Sequence, residues 1–187
     1  MTETIISIFL GIGLAASVGF RVFLPLFALS LVSYFNLLEL NESWQWIGSL
    51  AAVITLGVAM LVEIGTYYIP FIDNLMDTIA IPLATVAGTA VMVSTVADLS
   101  PVVTWALAII AGGGTAATIK SATGATRLTS SVSTAGLGNP IVTTIETGSS
   151  IVMTILSIFL PVVGFIMVIV ILIVFYKLYK KIKSTSH

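Results

Sequence analysis

Residues 4–38 form a single apolar run of 35 residues that carries one charge, Arg21, close to its middle. A membrane helix needs about 20 such residues, so the run is too long for one straight crossing. Gly19, Arg21 and Pro25 lie at its centre, and a proline cannot continue a regular helix without losing a hydrogen bond. The run is therefore a re-entrant hairpin, two full crossings joined by a very tight turn, or one long broken helix. Non-helical backbone at membrane depth is tolerated only inside protein or beside a cavity, so each alternative keeps Arg21 away from lipid. The arginine costs ~2.5–3.5 kcal/mol on insertion scales and needs a partner or a water-lined cavity. Gly11, Ala15 and Gly19 precede it at intervals of four, a spacing that lets a second helix backbone approach closely.

The remaining composition agrees. Of 187 residues, 58% are hydrophobic and 8% charged, against about 25% charged in an average soluble domain. The chain is an integral membrane protein, and with no long polar run it forms one transmembrane domain over 1–187. A net charge of −1 argues against a nucleic-acid partner. The absence of cysteine excludes disulfides, thiol chemistry and Cys-ligated zinc. The one histidine, His187, is the last residue. The start, MTETIISIFL, lacks a basic n-region, so it reads as a first membrane segment rather than a cleavable signal.

Along the chain, 39–45 reads as a polar loop, with Trp44 and Trp46 at the interface. Residues 47–68 read as a clean transmembrane helix closed by Tyr67 and Tyr68, with Glu63 in its last turns. Pro70 opens the next segment, in which Asp73 and Asp77 share a face, Pro82 breaks or kinks the helix, and Ala80, Ala84 and Gly88 make a close-packing stripe. Asp98, Ser100 and Pro101 form a turn. Residues 112–139, rich in Gly, Ala, Ser and Thr with Lys120 and Arg127, are too polar to face lipid. They read as protein-buried helix unwound in places, the hydroxyls lining a hydrated path or bonding between helices. The triple glycine 112–114 lacks the lysine and serine of a phosphate loop. Asn139-Pro140 restarts the chain, Glu146 follows, and 151–176 is a long helix interrupted by Pro161. The tail 177–187 carries four lysines, which places the C-terminus in the cytoplasm, with the protein in an inner membrane.

The halves 1–98 and 101–176 contain a weak repeat. With Arg21 set on Arg127, AASVGFRV lies over SATGATRL. With Pro70 set on Pro140, Asp77 falls on Thr147, and Glu146 is one place earlier. The helix at 47–68 is extra in the first half. Paired repeats with broken helices are a transporter architecture, and an inverted pair is one form of it.

Seven ionisable residues lie in or near apolar sequence: the bases Arg21, Lys120 and Arg127 and the acids Glu63, Asp73, Asp77 and Glu146. Pairing among them is the least costly arrangement. Functionally they form a substrate- or ion-binding site at the repeat interface. Structurally they lock short helices together, and Glu63 and Asp73 snorkel at the turn between their helices.

The motif Gly13-Leu14-Ala15, then Gly19, Arg21, Phe23 and Pro25, resembles an uncharacterised bacterial integral-membrane family, the domain of unknown function family four-one-two-six. Asp73 and Asp77 after a proline, and Gly136 to Pro140 followed by Glu146, match its later motifs. Thr147 departs from them where a second acid is expected. The resemblance implies a fold and key positions, with no activity attached.

The expectation is an all-α polytopic membrane protein with broken or re-entrant helices and an internal pseudo-two-fold repeat. Its leading function is a small transporter or channel-like permease, ion- or proton-coupled, with a charged, small-residue-lined site between the repeats. Arg21 and Arg127 would hold an anionic group. The alternative is a non-catalytic scaffold or accessory subunit that pairs with itself or another membrane protein. An enzyme is the weakest reading, since there is no His/Cys cluster and no serine with a histidine base, although Asp73 and Asp77 together suit a divalent cation with a lipid phosphate. No motif asks for a cofactor.

Overall fold

The computed structural model describes residues 1–69, 72–97 and 99–185, and these contain helices and turns only. Pro70, Asp98 and His187 lie outside the described residues. The elements are α1 (Thr2–Phe20), α2 (Phe23–Tyr34), a 3-10 helix (Glu42–Gly48), α3 (Leu50–Thr66), α4 (Ile72–Thr95), α5 (Pro101–Leu107), a π-helical turn (Ala108–Gly113), α6 (Gly114–Thr134), α7 (Asn139–Phe159) and α8 (Pro161–Thr185). Among the described residues, five stretches are long and apolar enough to cross a membrane, and the 3-10 helix with α3, bent by 66°, makes a sixth if the pair is one span. The chain is an all-α polytopic membrane protein.

The long first run breaks at Arg21, which is extended (φ −139°, ψ 125°). Pro25 does not cause the break. It sits in the first turn of α2, where a missing N–H costs no helical bond. The break is a reversal. Asn41 N–H, after the end of α2, donates to Ser94 O at 2.9 Å, and Ala97 N–H donates to Ser7 Oγ at 3.1 Å. The end of α2 and the start of α1 therefore meet the same last turn of α4. At 12 residues, α2 is about 18 Å long and shorter than the hydrocarbon core. It returns beside α3, with Ser30 Oγ donating to Ile47 O at one end and Glu63 meeting Val22 and Phe23 at the other.

At the centre stands α1, packed by α4, α6, α7 and α8. Its small residues are used as expected. A Cβ on Gly11 would lie 3.0 Å from Thr95 Oγ1 and one on Gly19 2.6 Å from Ile119 Cβ, and Gly13, outside the expected stripe, packs as tightly on Ser157. Ser17 bonds Ser150 and Thr154 of α7 across the interface. The stripe Ala80, Ala84 and Gly88 is buried, and the π turn brings Gly112 to it, where an added Cβ would lie 2.6 Å from Gly88 O.

Several expectations change. Residues 39–45 are partly the 3-10 helix, and the helix expected at 47–68 starts at Leu50. Pro82 lies inside α4 without ending it. The run 151–176 is two antiparallel helices reversing at Leu160: Gly164 meets Ser157 near the turn, and Phe175 shares a cavity with Glu146 far from it. Within 112–139 the chain is helical from the π turn to Thr134 and leaves helix only at the turn 135–138, and it is not protein-buried throughout. Thr118, Ser121, Thr126, Thr129 and Thr134 are exposed, and each hydroxyl donates to the carbonyl four residues back at 2.7–3.1 Å. That internal bonding removes the polarity that made the segment look unfit for an outward face.

The helices that the sequence equates, α1 and α6, do not run in opposite senses. Gly112 meets Gly88 and Arg127 meets Asp77, so α6 runs antiparallel to α4. Gly11 meets Thr95, close to where Ser7 meets Ala97, at the end of α4 far from Arg21, so α1 does the same. The equated helices α1 and α6 therefore run in one sense, as parallel repeats do. The α2–α3 hairpin inserted in the first half is an even number of passes and leaves that sense unchanged.

Gly112→Ala is expected to lower stability by roughly 1–3 kcal/mol through overpacking against α4 backbone. Gly124→Ala, whose new Cβ meets nothing within 4 Å, is expected to be neutral or to gain up to about 1 kcal/mol. Thermal unfolding of the two variants in detergent checks the contrast.

Candidate functional site

The reversal at Arg21 leaves two raw helix ends inside the protein, and opposite charges satisfy them. The last carbonyl of α1, Phe20 O, accepts from Lys120 Nζ at 3.4 Å. The first N–H groups of α2, on Val22 and Phe23, donate to the two carboxylate oxygens of Glu63 at 2.8 and 2.9 Å. A cation at a helix C-terminus and an anion at an N-terminus are the arrangement the helix dipole favours.

Tyr67, at the end of α3, is the hub. It is 3% exposed. The guanidinium carbons of Arg21 and Arg127 lie 4.3 and 4.4 Å from its ring centroid, and Lys120 Nζ lies 5.2 Å away. Desolvated contacts of this kind contribute about 2 kcal/mol each. Its carbonyl accepts from Thr143 Oγ1 at 3.3 Å, which ties the hub to α7.

The two arginines share α7 as well. Arg21 donates from Nε to Thr147 Oγ1 at 3.0 Å and from Nη2 to Thr143 O at 3.1 Å, with Glu146 Oε2 at 3.4 Å. Arg127 donates from Nη1 to Thr143 Oγ1 at 3.0 Å and from Nη2 to Glu146 Oε2, and its Nε lies 3.4 Å from Asp77 Oδ2. Glu146 thus bridges both guanidinium groups. Among the described buried side-chain nitrogens and oxygens, Arg21 Nη1 has no hydrogen-bond partner.

Six of the seven charges read from the sequence converge here: Arg21, Glu63, Asp77, Lys120, Arg127 and Glu146. Asp73 is one turn nearer the start of α4, where it accepts from Asn139 Nδ2 at 2.8 Å. Asp73 and Asp77 therefore take different partners, and among the described residues no group of three metal-ligating side chains forms. The site differs from expectation in its lining. The glycines pack α1, α4 and the π turn, while Tyr67, Thr143 and Thr147 line the charges. Two cavities flank the cluster. One of about 170 Å³ lies between α2, α3 and α4 beside Glu63, and one of about 190 Å³ lies between α6, α7 and α8 beside Glu146. Their walls are mostly apolar.

Sequence reasoning missed Tyr67, read only as closing its helix, together with Thr143 and Asn139. Neutral side chains at helix starts carry no cost in lipid that would flag them. The cluster is nearer the end of the bundle that carries Lys177, Lys180 and Lys181 than the midplane, because α8 passes Glu146 at Phe175.

Glu146→Gln removes the anion that the two buried arginines share, and is expected to cost roughly 3–5 kcal/mol. Asp77→Asn, at a side chain 25% exposed, is expected to cost within about 1 kcal/mol. Denaturation midpoints of the two variants rank the contacts.

The family described as Domain of unknown function (DUF4126) has a model that matches residues 8–181. No curated protein and no solved structure matches the chain.

Proposed function

The chain belongs to the DUF4126 family, which carries no assigned activity, and we propose from its site that it is a small membrane permease for an anionic solute. Arg21 and Arg127 hold the anionic group, and the conformation described is the closed one, with the charges interlocked. The observation that carries this reading is Arg21 Nη1, a fully buried cationic donor without a partner at the reversal of a short helical hairpin. A structural ion-pair network of this density has every reason to satisfy its own donors. Short or broken helices ending at a charged cluster, inside paired repeats, are the parts from which alternating-access carriers are built. With the terminal lysines in the cytoplasm of a bacterial cell, the site lies toward the cytoplasmic side of the inner membrane.

A second reading, a scaffold subunit, is favoured by a different observation. Gly114 and Gly124 on α6 and Gly148 on α7 face open space, as a face that docks another helix does.

Flux separates the two. Protein in liposomes is expected to move acetate, lactate, chloride or phosphate, with Arg21→Lys reducing that flux at least tenfold, about 1.4 kcal/mol in the barrier. Failure to move any of the four in wild type, with Arg21→Lys changing only stability, favours the scaffold.

A further inference from the structure

The repeat supplies an internal control on the charges. Arg21 equates with Arg127 and Thr147 with Asp77, and the structure makes both pairs through the same atom: Arg21 Nε to Thr147 Oγ1 at 3.0 Å, and Arg127 Nε to Asp77 Oδ2 at 3.4 Å. Arg21 is fully buried with a neutral hydroxyl at this position. A carboxylate there is not needed to bury an arginine. Arg127 holds Thr143 and Glu146 as Arg21 does, so it does not need a carboxylate at Asp77 either.

The other acids are committed. Glu63 uses both oxygens on α2 backbone. Glu146 is clamped between two arginines with its side chain 4% exposed. Asp73 is buried against Asn139. Asp77 is the open one, at 25%. Around it stand Arg127 and Lys120 from α6, Glu146 from α7 and Tyr67 from the end of α3, and Arg21 shares Glu146 Oε2 and the Tyr67 ring with Arg127.

Charge balance then restricts what can enter. Three bases (Arg21, Lys120 and Arg127) already face three acids (Glu63, Asp77 and Glu146), so an additional anion in this interior is unfavourable unless a positive charge accompanies it. We infer that Asp77 is the proton-coupling residue of the site, and that the solute is a small monovalent carboxylate that enters with one proton. This rests on the permease reading. The proton binds Asp77 Oδ2 and the Arg127 Nε contact opens. The solute carboxylate then accepts from Arg127 Nε and from Arg21 Nη1, the donor that lacks a partner when the site is empty. The cluster exchanges one carboxylate charge for another, so its total charge is unchanged, and release returns the proton to water. A carboxylate is the ligand class because it takes over contacts a carboxylate makes, in the fork geometry guanidinium groups favour.

Acetate and lactate binding to the purified protein in nanodiscs tests this, by calorimetry in two buffers of different ionisation enthalpy. Wild type is expected to take up about one proton per acetate, with an apparent Kd weakening about tenfold per pH unit above the Asp77 titration. Asp77→Asn, which stands in for the protonated acid, is expected to bind acetate without proton uptake and with one Kd between about pH 6 and 8. An unchanged pH slope in Asp77→Asn overturns the assignment. So does wild-type binding with no proton uptake, a result that needs no variant to fold, and so does the absence of acetate and lactate binding at every pH. Carboxylate flux that persists while binding is independent of protons sinks the coupling role and leaves the permease standing. Proton-linked binding abolished by Asp77→Asn, in liposomes that show no flux, supports Asp77 and sinks the permease.

Discussion

The burial of Arg21 at a chain reversal is the constraint on which the rest of the structure depends. A guanidinium in an apolar interior is tolerable only when its charge and most of its donors are met, and here three elements meet the charge and every donor but Nη1. Tyr67 closes one face, Thr143, Glu146 and Thr147 come from α7, and Arg127 shares Glu146 from α6. The reversal adds two helix ends, which recruit Lys120 and Glu63. Each of these residues is costly alone, and together they answer one another, so the helices that carry them are held in register around one ring.

The glycine and hydroxyl positions do a different job. In lipid there is no hydrophobic force between helices, so association comes from close packing and interhelical hydrogen bonds. The contacts of Gly13 and Gly19 on α1, and of Gly88 against Gly112, bring backbones together, and Ser17 with Ser150 and Thr154 adds a polar tie at the same depth. This core lies on the far side of the charges from the terminal lysines. It fixes where the helices cross and leaves the charged end to be set by Tyr67 and α7. The outward hydroxyls of α6 show the opposite use of the same chemistry, bonded to their own helix and so compatible with an apolar exterior.

The charges of the candidate site were legible because ionisable residues in apolar sequence are expensive and therefore informative. Arg21, Lys120, Arg127, Glu63, Asp77 and Glu146 announce themselves in this way, and they do converge. Tyr67, Thr143 and Asn139 carry no such cost and look like any interfacial or capping residue, yet Tyr67 organises both arginines. Pairing partners were legible only in part. Asp73 and Asp77, four apart on one helix, suggested a common ligand, and the fold sends them to Asn139 and Arg127 instead.

By itself the sequence determined that this chain is a helical membrane protein and that its long first run must interrupt itself near Arg21. Hydropathy, the cost of intramembrane charge and the chemistry of proline are local properties, which is why they can be read along a chain. What only the tertiary structure decided is the direction of the turn at Arg21. Had the run continued as one broken helix, the chain would have reached the second repeat from the other side of the membrane and the repeats would be inverted. Because α2 folds back against α3, the equated helices α1 and α6 run in one sense. Glu63, 42 residues away in sequence, supplies the anion that lets α2 start there, and a contact of that range leaves no mark in the local pattern.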